Sequence, residues 1–167
     1  MSSPIGSRRR STFARSSFAV TSVAEKKVGS TDGMGLSERT SPYYPAWVEG
    51  ADGDLAVARE AILGRDFEAI AEISEHSCLK MHAVAMAARP GLLYWNGTTV
   101  DCMHLISDLR RRGTAAFFTI DAGPQVKAIC LPGDVDLVTK ALRQVPGVVE
   151  VMTCGLGAGA RVVSDDS

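Results

Sequence analysis

At 167 residues the chain is long enough for one domain with a core of its own, and its 46% apolar and 22% charged residues are those of an ordinary globular protein. A formal net charge of −1 argues against nucleic acid or an anionic membrane as partner, and no apolar run approaches the roughly 18 to 20 residues that span a bilayer. Cys78, Cys102, Cys130 and Cys154 are scattered, without a Cys-x-x-Cys pair. They predict small buried thiols in a reducing compartment, the cytoplasm by default, and no metal framework.

The first twenty residues hold six Ser, four Arg and no acid. Residues 1–17 therefore read as a disordered Arg/Ser-rich tail, with a targeting peptide, a plain tail and a junction from a larger chain all open. Order is expected from Phe18, in one domain over residues 18–167. Residues 18–24 read as a strand. The run Gly29-Ser30-Thr31-Asp32-Gly33-Met34-Gly35 reads as a loop suited to close approach by a ligand or another segment. It lacks Gly-Lys-Ser/Thr and is not a P-loop. Residues 36–49 suit a helix, with Pro42 and Pro45 tolerated only near a start or a break. Residues 54–63 suit a short helix ended by Gly64. Asp66 then caps a long one, with Phe67, Ile70, Ile73, Cys78 and Met81 at helical spacing, stopped by Arg89-Pro90-Gly91.

In the next helix Thr98, Thr99 or Asp101 can cap the start, and Met103, Ile106 and Leu109 form an apolar face. Arg110, Arg111 and Arg112 sit at its negative end, where the helix dipole explains them better than a ligand does. Residues 114–120 and 126–131 read as strands. Asp134 caps a helix with Val135, Val138, Ala141 and Leu142 on one face. Residues 148–153 and 160–163 read as two more strands. The fold class is α+β, a mostly antiparallel sheet with helices on one face.

Asp121 ends an apolar strand just before Gly123-Pro124. A carboxylate there is held by rigid backbone yet reaches a cleft, which suits a catalytic acid or base; a solvated turn cap is the plainer reading. Gly155-Leu156-Gly157-Ala158-Gly159 lacks both the spacing and the following helix of a dinucleotide loop, so a tight turn is expected. His82 lies one helical turn after Cys78, and a satisfied, partly buried histidine is preferred to a metal ligand.

Four segments, in this order and spacing, resemble the conserved stretches of mevalonate diphosphate decarboxylases. They are Thr21-Ser22-Val23-Ala24-Glu25-Lys26-Lys27-Val28-Gly29-Ser30-Thr31-Asp32-Gly33-Met34, Thr40-Ser41-Pro42-Tyr43-Tyr44, Leu79-Lys80-Met81-His82-Ala83 and Phe118-Thr119-Ile120-Asp121-Ala122-Gly123-Pro124. The resemblance implies a GHMP kinase C-terminal domain fold. It also implies ATP-dependent conversion of 5-diphosphomevalonate to isopentenyl diphosphate, with ATP and Mg2+ as cofactors. Asp121 would be the catalytic carboxylate, and Ser30 and Thr31 would bind the substrate's diphosphate. Gln125 stands where many members carry Asn, and Thr31 where some bacterial members carry Arg. The family's ATP-binding N-terminal half has no counterpart here. The chain is therefore expected to be a C-terminal half that is inactive alone, with that missing half or a homodimer partner completing it. Alternatives are a phosphomevalonate decarboxylase or mevalonate 3-kinase of the same branch, or a non-catalytic α+β binding domain.

Overall fold

The computed structural model describes residues 15–21, 28–155 and 157. Four strands, β1 (Arg15–Val20), β2 (Ala116–Ile120), β3 (Val126–Cys130) and β4 (Glu150–Gly155), form one sheet in the order β2-β3-β1-β4, with all neighbours antiparallel. Six helices accompany it: α1 (Ser30–Thr40), α2 (Tyr44–Glu49), α3 (Ala51–Gly64), α4 (Phe67–Met86), α5 (Gly97–Arg111) and α6 (Val135–Arg143). No helix among the described residues is long and apolar enough to cross a membrane.

The strands alternate with period two, which sorts their side chains onto two faces. Phe118 pairs with Ala128, Ile120 with Val126, and Ala19 with both Val126 and Val151. These residues make one buried face, and Cys102, Ile106 and Leu109 of α5 and Val138 and Leu142 of α6 complete its core. The expected α+β layering is the one found.

β2 is an edge strand, and an open edge leaves backbone donors and acceptors unpaired. Helix α4 covers it. Glu75 Oε1 accepts from the Phe118 amide at 3.2 Å, Cys78 Sγ accepts from the Ile120 amide at 3.2 Å, and His82 Nε2 donates to the Ile120 carbonyl at 3.1 Å. Three or four residues of helix rise about 5–6 Å, close to the roughly 6.5 Å of a two-residue step along a strand. One helical stripe can therefore serve consecutive edge positions. Arg110 of α5 reinforces the arrangement, holding Glu75 at 3.2 Å and Glu68 at 2.8 Å. Arg111 pairs with Asp108. The arginine run thus joins two helices as well as closing one.

Several local expectations are corrected. β1 starts at Arg15, ahead of Phe18, and ends at Val20; residues 22–24 lie outside the described residues, as do 160–163 and all of the expected 155–159 turn except Gly155 and Gly157. The expected loop from Gly29 to Gly35 is instead the first half of α1. The expected helix over 36–49 is broken at Ser41-Pro42-Tyr43, and Pro45 sits in the first turn of α2, where its missing N–H costs nothing. Asn96, not Thr98, Thr99 or Asp101, caps α5, in a capping box with Thr99. Asp66 caps α4 as expected, accepting from the Ala69 amide at 3.1 Å. Asp134 holds the cap position of α6 but spends its carboxylate on the Ala115 amide. Cys78, Cys102 and Cys130 are buried thiols, whereas Cys154 is exposed.

Burial, aided by the charges of Asp101 and Asp134, pushes the Cys102 and Cys130 thiols up from 9.0 to about 11. Both folded-state values are raised, so their stabilisation is full below the unfolded value and is lost as pH rises through the folded one. The urea midpoint is expected to fall between about pH 9 and about pH 11, at a cost of roughly 1–3 kcal/mol per thiol. Cys102→Ala should flatten that fall. An unchanged slope would show that the thiol does not carry it.

Candidate functional site at the Asp121 turn

Asp121 follows directly on β2. Because Thr119 pairs with Lys127, positions 119, 121 and 127 share the sheet face opposite the core. Lys127 Nζ pairs with Asp121 Oδ2 and lies 5.9 Å from the Phe18 ring centroid. The Asp121 side chain is 78% exposed and open to a ligand.

The turn beneath it is pinned from several sides. The Pro124 carbonyl accepts from Thr21 Oγ1 at 2.8 Å and from Thr99 Oγ1 at 2.7 Å. Gln125 Oε1 accepts from the Thr21 amide at 2.7 Å, so the longer amide fastens the turn to the end of β1. Asn96 Nδ2 donates to the Thr21 carbonyl at 3.2 Å. Upstream, Ile120 is held by Cys78 and His82. His82 is buried, its ring 4.7 Å from that of Trp95 and 6.1 Å from that of Tyr94. Burial pushes it below the ordinary histidine range, against the opposing pull of the Ile120 carbonyl and the Asp121 charge. It is hydrogen-bonded as expected, but fully buried where partial burial was expected.

Helix α1 presents its N-terminus to the same region. Gly29 occupies the cap position without a side-chain cap, and the first helical bond is Gly33 N–H to the Gly29 carbonyl at 2.9 Å. The amides of Ser30, Thr31 and Asp32 therefore lie outside the helical ladder, at the positive end of the helix dipole. A cavity of about 190 Å³ is lined by Ser30, Gly33, Met81, Tyr94, Asp121 and Ala122, among others. Ser30 and Asp121, far apart in sequence, thus meet in one cavity. Thr31 is exposed and is not among its lining residues. A wider cleft of about 640 Å³, lined by Trp47, Leu55, Phe117, Thr119 and Ile129, opens on the other flank of Asp121.

An anion-favouring helix end on one side and a carboxylate on the other suit a ligand with a phosphorylated end and a hydroxyl-bearing carbon. The model of the mevalonate 5-diphosphate decarboxylase C-terminal domain matches residues 18–157. The chain belongs to this family. It is 27% identical to the diphosphomevalonate decarboxylase of Aspergillus fumigatus over 80% of its own length and 34% of the relative's. Its fold matches the mevalonate diphosphate decarboxylase of Staphylococcus aureus with a TM-score of 0.82 at 31% identity, covering 87% of this chain and 44% of that one. A structure described as "MDDEF in complex with MVAPP, AMPPCP and Magnesium" matches with a TM-score of 0.78 at 29% identity, covering 85% of this chain and 43% of that one. The chain spans about a third of the length of the curated relatives it matches.

Within this decarboxylase C-terminal domain, sequence reasoning missed Tyr94 and Lys127. Lys127 was findable, as the polar residue between buried Val126 and Ala128 in the strand paired with β2. Tyr94 carried no local signal. Burial, with a smaller push from Asp32, raises its phenol above the ordinary range. No group of three or more metal-ligating side chains occurs among the described residues.

The tyrosine explains Gly33. A methyl added there would overlap Tyr94 Oη and come within 3.2 Å of Leu92 Cδ1. Gly33→Ala is therefore expected to destabilise by about 1–3 kcal/mol of overpacking, against about 1 kcal/mol gained in helix propensity. Removing the hydroxyl leaves Tyr94 Cζ at 3.4 Å. In a Tyr94→Phe background the same substitution should be neutral or stabilising. Equal effects in both backgrounds of a denaturation cycle would contradict the contact.

Proposed function

We propose that this chain forms the substrate-binding and proton-handling part of an ATP-dependent diphosphomevalonate decarboxylase. The meeting of Ser30 at an open helix N-terminus with Asp121 in one cavity carries the reading. Family membership supports it. In this reading the first-turn amides of α1 and the hydroxyl of Ser30 bind the diphosphate of 5-diphosphomevalonate. Thr31 binds at the outer rim of that site.

Asp121 orients the substrate's tertiary hydroxyl and accepts its proton as that oxygen is phosphorylated. When the activated oxygen leaves, positive charge grows on the carbon, and the facing carboxylate stabilises it. The electron pair of the breaking carbon–carboxylate bond then forms the double bond of isopentenyl diphosphate, and carbon dioxide departs. Lys127 balances the Asp121 charge until substrate arrives.

ATP would supply the phosphoryl group for the tertiary hydroxyl, and magnesium would neutralise its charge. We assign them to the part of the relatives' length that this chain does not span, which would cover the wide cleft as the partner half. Leu55 lines that cleft at 67% exposure, and Leu63 on the same helix is 75% exposed. Apolar side chains so placed suit a covering surface, either that half or a second copy.

In the protein assembled with an ATP-binding half, Asp121→Asn should lower turnover by about 10² to 10⁴ with the fold intact and little change in substrate binding. Ser30→Ala should act mainly on KM, by the roughly 1.5–3 kcal/mol of a hydrogen bond to a charged group. Single-turnover release of carbon dioxide, with melting on the same samples, measures both. It also separates this activity from a mevalonate 3-kinase, which would release none. Normal turnover in Asp121→Asn would remove the catalytic assignment.

A further inference from the structure

Asp121 is the first residue beyond β2, whose last ladder pair is Ile120 with Val126. Its backbone follows on from Ile120, whose free edge is held by α4: Cys78 Sγ lies 3.5 Å from the Ile120 carbonyl, and His82 bonds the same oxygen. The Ile120 carbonyl can only accept, so His82 Nε2 must carry a proton and donate to it, at 3.1 Å. The amide of the same residue donates to Cys78 Sγ at 3.2 Å. The imidazole cannot readily turn away, since it is buried and flanked by Trp95 and Tyr94. Tyr94 also lines the cavity that holds Ser30 and Asp121.

We propose that His82 is a positioning residue for the Asp121 carboxylate, acting through its hydrogen bond to the Ile120 carbonyl. The inference rests on the catalytic reading of Asp121 given above. His82 touches no reacting atom. It fixes the plane of the peptide that joins Ile120 to Asp121, and with it the direction in which the Asp121 side chain leaves the strand. A general base must reach its proton within hydrogen-bond distance, and a misplacement of about 1 Å can cost roughly a hundredfold in rate. The side-chain ion pair with Lys127 restrains the carboxylate from the opposite end. A buried, neutral donor on the backbone side sets its root without adding charge to the cavity.

The test is steady-state decarboxylation by the protein assembled with its ATP-binding half. His82→Leu, which fills the space without a donor, should lower kcat by about tenfold to a hundredfold and leave KM within about twofold. His82→Gln places an amide N–H at the reach of Nε2 and should restore kcat to within about threefold of the parent. His82→Asn keeps polarity but is too short, and should behave like His82→Leu; it serves if the leucine variant does not fold. A role confined to packing predicts that kcat per folded molecule stays at the parent value, or that the glutamine and asparagine variants are alike. Either result, or KM rising in step with the fall in kcat, would overturn the proposal. Asp121→Asn, assayed alongside, separates the two claims. If it loses activity while His82→Leu does not, the positioning role alone fails. If it keeps normal activity, the catalytic reading fails and the positioning role fails with it.

Discussion

The free edge of β2 is the constraint on which the rest of this domain depends. A sheet edge left open in a protein interior would strand backbone donors and acceptors at a cost of about 1–3 kcal/mol each. Glu75, Cys78 and His82 meet that cost from one stripe of α4. The consequence is directional. Once α4 is locked beside β2, Asp66 caps its start, Arg110 ties it to α5, and α1, α2 and α3 pack against it. The same contact that seals the edge also delivers the strand end at which Asp121 begins.

The candidate site is a joint between elements with different tolerances. The Asp121 turn is stiff, held by Thr21, Asn96, Thr99 and Gln125 through hydrogen bonds of 2.7–3.2 Å. The carboxylate at its tip is open to the cavity. The N-terminus of α1 is also open, with no side-chain cap to compete for its amides. Rigid backbone beneath, with an exposed carboxylate and a helix end without a side-chain cap above, suits a site that must hold an anion and a reacting carbon at fixed separation. A family whose relatives are diphosphomevalonate decarboxylases fits that description.

Much of the architecture was legible because it rests on local rules. Asp66 before an apolar helical run, Gly113 after an arginine-rich helix end, and alternation over β2 and β3 each led to an element close to the one found. The catalytic candidate was legible because a lone carboxylate ends an apolar strand. The stretch from Gly29 to Gly35 was not legible from composition alone. Its glycines argue for a loop, but tertiary packing overrides that preference: Tyr94 packs where a side chain at Gly33 would lie. Tyr94 was missed for a related reason, since it meets α1 from a remote part of the chain. The Asn96 cap is local, a bond to Thr99, and was passed over for the hydroxyls and carboxylate that follow it. The edge-sealing role of Glu75, Cys78 and His82 needed the strand order, which periodicity does not contain.

A crystal structure of the protein assembled with an ATP-binding half and bound to 5-diphosphomevalonate would test the central claim most directly. The account predicts the diphosphate at the first turn of α1, in contact with Ser30. It predicts the tertiary hydroxyl within hydrogen-bond distance, roughly 2.6–3.2 Å, of the Asp121 carboxylate, with the Ile120 carbonyl still bound to His82. A substrate bound elsewhere, or with its hydroxyl turned away from Asp121, would contradict it.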